Sequence, residues 1–166
     1  MEKSRKGFIP VMLTPFQSDG QVDYPALTRL TELYLKAGAA GLFANCLSSE
    51  MFELSAEERL QTIRHVVDVV GGAVPVVATG TFGGAITEQA DFVKQVYGAG
   101  TEAVIAITGL LATQQESDET FNERVFQLLE HTSGIPLGFY ECPEPYKRLL
   151  SAEQLRSFVQ TGRVIY

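Results

Sequence analysis

The chain has 166 residues, 45% hydrophobic, 20% charged and 10% aromatic, with fifteen Gly, seven Pro and two Cys. This is globular composition, long enough to bury one core, and it excludes disordered, collagen-like and coiled-coil chains. Thirteen Lys and Arg against twenty Asp and Glu leave a net charge of −7, which offers no attraction for nucleic acid or an anionic membrane. The longest apolar run, Ala37–Ala44, falls far short of the roughly 20 residues that span a bilayer. The opening Met1-Glu2-Lys3-Ser4-Arg5-Lys6 carries no signal-peptide hydrophobic stretch, so the expected setting is cytoplasmic. Cys46 and Cys142 have neither disulfide-framework nor metal-ligand spacing, and no metal or cofactor is expected.

In chain order, the first β-rich run is Phe8–Leu13. Asp23 followed by Pro25 opens a helix in which Leu27, Leu30, Leu33 and Tyr34 recur three or four apart. A second run, Gly41–Cys46, follows Gly38. Ser55 and Glu58 form a capping box ahead of a helix with Leu60, Ile63, Val66, Val67 and Val70 on one face, stopped by Gly71-Gly72. The third run, Val74–Thr79, is apolar nearly throughout, as a strand buried on both faces should be. Thr87-Glu88 mark a weaker helix start before Phe92, Val93 and Val96. A fourth run at Ala103–Ile107 precedes a helix carrying Phe121, Val125, Leu128 and Leu129. A fifth spans Pro136–Tyr140, a second capping box lies at Ser151–Gln154, and a sixth run opens at Arg163. Strand, helix and strand at this spacing predict right-handed βαβ units and a parallel sheet, an α/β fold class. Two architectures fit the alternation: a self-contained flavodoxin-like doubly wound sheet, and a (β/α)8 TIM barrel represented by about five βα units plus the start of strand 6.

In both, ligands bind at the carboxyl ends of the strands. After the first run, Thr14-Pro15-Phe16 reads as structural. After the second, Asn45-Cys46-Leu47-Ser48-Ser49-Glu50 presents two adjacent hydroxyls and backbone N–H groups suited to a small carboxylate, or a capped polar loop. Cys46 reads as a buried small hydrophobe, with no His in these loops to activate it. Thr79-Gly80-Thr81-Phe82-Gly83-Gly84 matches neither a Walker loop nor the dinucleotide fingerprint, and reads as a place for tight backbone packing. Thr108-Gly109-Leu110-Leu111 suggests packing or a subunit contact. Tyr140 ends the fifth run, where its phenol is suited to proton transfer or to a buried structural hydrogen bond. Glu141 and Glu144 read as solvated, His65 and His131 as solvent-facing or capping. Lys36 and Lys94 belong to helices, so no lysine lies on a strand run.

The stretch Gly7-Phe8-Ile9-Pro10-Val11-Met12-Leu13-Thr14-Pro15-Phe16, with Asp19-Gly20 and Asp23, resembles the opening of the dihydrodipicolinate synthase / N-acetylneuraminate lyase family. Ala37-Gly38-Ala39-Ala40-Gly41-Leu42 is similar too. So is Ser48-Ser49-Glu50, with Leu54-Ser55 and Glu58-Arg59, to that family's Gly-Thr-Thr-Gly-Glu segment and next helix. Pro75-Val76-Val77-Ala78 fits its third strand, and Phe139-Tyr140-Glu141-Cys142-Pro143 its Tyr-Asn-x-Pro. Five motifs keep their order from Gly7 to Tyr166.

The resemblance implies that residues 1–166 are the N-terminal part of a single TIM-barrel domain. It implies a class I aldolase or lyase that forms a Schiff base between a strand-6 lysine and pyruvate or a related 2-oxo acid. In that scheme Tyr140 relays protons, while Leu47, Ser48 and Ser49 lie where the 2-oxo acid carboxylate binds, Ser48 through its hydroxyl and Leu47 to Ser49 through backbone N–H. A homo-oligomer, tetramer or dimer, is expected of the complete protein. Four departures stand out. Val164-Ile165-Tyr166 stops about two residues before the expected lysine, so the chain as given is expected to be inactive alone. Leu47 and Leu111 replace relay hydroxyls. Pro145 takes the place of an arginine that binds the second substrate's carboxylate, with Lys147 and Arg148 nearby. These point to an enzyme divergent from dihydrodipicolinate synthase proper, or to a non-catalytic 2-oxo acid-binding barrel.

Overall fold

A computed structural model describes residues 7–166. The hexapeptide Met1–Lys6, read above for its lack of a signal sequence, lies outside the described residues. The described residues form two compact units, one running to Ala78 and including Ala99–Glu102, the other Thr79–Gly98 with Ala103–Tyr166.

In the first unit, α1 spans Tyr24–Lys36, with the Asp23 carboxylate accepting from Ala26 N at 2.9 Å and a proline in its first turn. Strand β1 is Leu42–Ala44, and helix α2 is Ala56–Val70. The Ser55/Glu58 box closes in both directions, Glu58 N to Ser55 Oγ at 3.2 Å and Ser55 N to Glu58 Oε2 at 2.8 Å, and Gly71 ends the helix at φ +56°. Strand β2 is Val76–Thr79, whose first three residues pair in parallel with β1 as Leu42↔Val76, Phe43↔Val77 and Ala44↔Ala78. Helices α1 and α2 pack together, with Leu27 and Thr31 of one and Ile63 and Val66 of the other buried. His65 is a clasp in that packing, with Nε2 at 2.8 Å from Thr28 Oγ1 and its ring 5.1 Å from that of Tyr24.

The first run differs from expectation. Phe8–Leu13 lies beside β1 and is held by one parallel bridge, Val11↔Phe43, with Phe43 N donating to Pro10 O and Met12 N to Phe43 O, each at 3.0 Å. Pro10 has no N–H to give, so a regular ladder does not extend through it.

In the second unit, α3 (Ile86–Gly98) leads to β3 (Ala103–Ile107), the one-turn helix α4 (Thr108–Leu111), α5 (Asp118–His131), β4 (Leu137–Tyr140) and α6 (Ala152–Val159). Strands β3 and β4 are parallel, from Val104↔Leu137 to Ile107↔Tyr140. The Ser151/Gln154 box forms as expected, at 3.1 and 2.9 Å. Helix α6 seats a fully buried Phe158 among Phe121, Phe126 and Phe139, ring centroids 5.4 to 6.1 Å apart. The sixth run pairs with β4 in parallel (Leu137↔Val164), with Leu137 N to Arg163 O at 2.8 Å and Ile165 N to Leu137 O at 2.9 Å. The glycine-rich loop packs tightly, since a Cβ on Gly80 would sit 2.2 Å from Val104 Cγ1.

Candidate active site

In the first unit the chain leaves β1 through Asn45, whose φ of +53° is left-handed, a conformation that Asn tolerates better than most residues. Cys46 then caps a single 3-10 turn, Leu47–Ser49, and Glu50 ends it at φ +55°. The Ser49 hydroxyl shapes this turn: it accepts from Cys46 N at 2.7 Å and donates to Cys46 O at 3.0 Å, and Ser49 N also donates to Cys46 O. Ser49 is therefore buried, with both its hydroxyl and its N–H engaged locally, whereas Ser48 is exposed and Leu47 half-buried. Cys46 is fully buried with its thiol 3.6 Å from Met12 O. Two neighbours to which the sequence gives no polar role of their own carry buried polar atoms without a hydrogen-bond partner, Thr14 Oγ1 and both carboxamide atoms of Asn45. No local pattern marks them, because the fate of a buried amide depends on which distant atoms surround it.

In the second unit Tyr140 is the last residue of β4 and is half-buried. Its carbonyl faces the Thr108 hydroxyl at 3.4 Å, and the same hydroxyl donates to Arg148 O at 2.8 Å. In helix α4, where the sequence suggests packing or a subunit contact, Thr108, Gly109 and Leu111 are buried. Leu111 is 1% exposed, a packed core side chain. Glu141 departs from its solvated reading: it is half-buried and its Oε1 accepts from Leu150 N at 2.7 Å. A cleft of about 570 Å³ opens beside these elements, walled by Gly84, Leu110, Gln114, Arg124 and Tyr146 among others.

The two arginines here are already committed. Arg124 holds Glu116 through both guanidinium ends and donates to Leu111 O at 3.0 Å. That Arg124 hydrogen bond, aided by the backbone N–H of Thr113, holds the Glu116 carboxyl down from its ordinary 4.5 to about 2. Arg148 donates to Asp118, Thr113 O, Glu116 O and the Tyr146 hydroxyl. Lys147 is exposed, Lys94 pairs with Asp91, and no described lysine lies on a strand. Among the described residues no group of three or more His, Cys, Asp or Glu side chains converges to hold a metal ion.

The sequence profile of the dihydrodipicolinate synthetase family matches residues 4–165. The chain belongs to that family. It is 31% identical over 140 residues to the 4-hydroxy-tetrahydrodipicolinate synthase of Pseudomonas aeruginosa, covering 82% of this chain and 46% of that protein. It is equally 31% identical over 137 residues to the putative 2-dehydro-3-deoxy-D-gluconate aldolase YagE of Escherichia coli, covering 82% of this chain and 44% of YagE. The crystal structure of YagE in complex with pyruvate superposes with a TM-score of 0.79 at 25% identity, over 93% of this chain and 51% of that one. CdNal from Clostridium difficile, solved with mannosamine, superposes at 0.84 with 18% identity, over 98% and 55%.

Membership of the dihydrodipicolinate synthetase family decides between the two architectures left open by the alternation of elements: the fold class is the (β/α)8 TIM barrel, here in part. The chain spans about half the length of the relatives it matches. No described helix is long and apolar enough to cross a membrane.

Proposed function

We propose that this chain is the N-terminal part of a single TIM-barrel domain of a cytoplasmic class I aldolase or lyase acting on pyruvate or a related 2-oxo acid. The reactive lysine belongs to the strand that opens at Arg163. Its amine adds to the C2 carbonyl and expels water, giving a protonated imine that accepts the electron pair of a carbon–carbon bond forming or breaking beside it. Tyr140 carries protons to and from that centre. The Ser48 hydroxyl and the first-turn N–H groups of Leu47 and Ser48 bind the carboxylate, while Ser49 shapes their turn. The complete protein works as a homo-oligomer.

The observation that carries this reading is the register of the sixth run. Leu137 pairs with Val164, but two residues on Phe139 N donates to Tyr166 O at 3.2 Å, a one-residue slip in register that brings the second position beyond Tyr166 level with Tyr140. A lysine there would end its strand beside that tyrosine, where a proton relay needs it.

Borohydride reduction of the intact protein with pyruvate tests the reading. An added mass of one reduced pyruvate on a lysine beyond Tyr166 is expected; no adduct, or an adduct on the 166-residue chain alone, would overturn it. A second reading, a barrel that binds a 2-oxo acid without transforming it, is favoured by Leu47 and by the buried Leu111, which bring no hydroxyl to the relay. Pyruvate binding without methyl-proton exchange into D2O would favour that binder.

A further inference from the structure

We propose that Arg148 is a positioning residue that acts through Thr108 and Tyr146 to hold Tyr140 in its working geometry, and that it is not a subsite for a substrate carboxylate. The inference rests on the role proposed for Tyr140. In the sequence, Arg148 stands near the place of a missing carboxylate-binding arginine. In the structure its side chain is 10% exposed and four of its five N–H groups are spent. Nη1 meets Asp118 Oδ1 at 2.7 Å, Nη2 meets the carbonyls of Thr113 and Glu116 at 2.9 and 2.8 Å, and Nε meets the Tyr146 hydroxyl at 3.0 Å. The guanidinium also lies 5.2 Å from the Phe121 ring centroid. A substrate carboxylate would have to displace these acceptors, one of them already a carboxylate.

Beyond Tyr140 the chain forms no helix or strand until α6 at Ala152, so a strap of eleven residues depends on side chains for its path. Arg148 clamps this strap to the segment after β3 and to the first turn of α5. Tyr146 adds its own bond to Ala112 O, and its carbonyl presses so close to Gly109 that a Cβ there would lie 2.3 Å away. The clamp reaches Tyr140 through the buried Thr108 hydroxyl, which contacts the carbonyls of both Arg148 and Tyr140. A lysine at 148 keeps the charge and loses the planar fork that spans four acceptors. Displacing a reacting group by about 1 Å can cost ~100-fold in rate, so a loosened clamp is felt in proton transfer before it is felt in binding.

The test uses the intact protein and the variants Arg148→Lys, Thr108→Val and Tyr140→Phe, singly and combined. Deuterium exchange into the pyruvate methyl group gives kcat and half-saturation. Arg148→Lys and Thr108→Val are each expected to lower kcat at least tenfold with half-saturation within threefold, and to add less than twofold in the Tyr140→Phe background. Unchanged kcat, kcat and affinity falling together, or losses that multiply fully with Tyr140→Phe would overturn the inference. Should the wild type exchange no pyruvate methyl protons, the lyase reading fails by itself. The position of Tyr140 is then read from its ring-carbon NMR signal in 13C-tyrosine-labelled protein. Movement of that signal in Thr108→Val and Arg148→Lys supports the clamp, and an unmoved signal refutes it.

Discussion

Replacing Arg163 by alanine should loosen the start of the sixth run. The guanidinium sits at the C-terminal end of α5, donating from Nε to Ile135 O at 3.1 Å, from Nη2 to Thr132 O, Thr132 Oγ1 and Ile135 O at 2.5, 3.1 and 2.6 Å, and from Nη1 to Leu129 O. Burial lowers its pKa from the ordinary guanidinium value, and a guanidinium stays charged in proteins. Three main-chain carbonyls thus take charge-assisted bonds, each worth about 1.5–3 kcal/mol, and the cation also complements the helix dipole by roughly 0.3–1 kcal/mol. The site is half-buried, so water recovers part of the loss in the variant. A net cost of about 3 kcal/mol remains, roughly 6–12 °C in Tm for a domain of this size. Urea denaturation of wild type, Arg163→Ala and Arg163→Lys checks the figure. The lysine variant, with one ammonium for three directions, should recover less than half of the loss. A cost below about 1 kcal/mol for Arg163→Ala would show that solvent replaces the guanidinium and that the run is held by its ladder bonds alone.

Three further outcomes are expected. Asn45→Gly should raise stability by about 1 kcal/mol, since it removes a buried carboxamide without a partner and suits the left-handed backbone; a lower melting temperature would show that the amide is satisfied in solution. Gly109→Ala should cost about 1–3 kcal/mol, because the new Cβ meets a main-chain oxygen that cannot rotate away, and an unchanged melt would contradict the close approach. Glu116 has a folded pKa of about 2 against 4.5 ordinarily, so its contribution is complete above pH ~4.5 and is lost as the pH falls toward 2. Glu116→Gln should melt lower than wild type near pH 6 and converge with it near pH 2; parallel stability curves across that window would refute the Arg124 pairing.

The sequence by itself determined whatever depends on neighbours three or four residues away: the caps at Asp23, Ser55 and Ser151, the apolar faces of α2 and α5, and the βα alternation. It also carried enough matched motifs to indicate the family. Tertiary structure decided where polar groups spend their bonds. Ser48 and Ser49 are adjacent and chemically alike, yet one is exposed and the other buried with its hydroxyl bonded back to Cys46. Pro10 interrupts what looked like a regular strand because its pairing demands an N–H at that point. In the sequence Arg148 is only a cation near Pro145, because its partners Thr113, Glu116 and Asp118 lie 30 to 35 positions earlier. A guanidinium has no fixed partner until the chain has folded around it; periodicity records which face of an element is apolar, and only packing assigns the donors and acceptors on it.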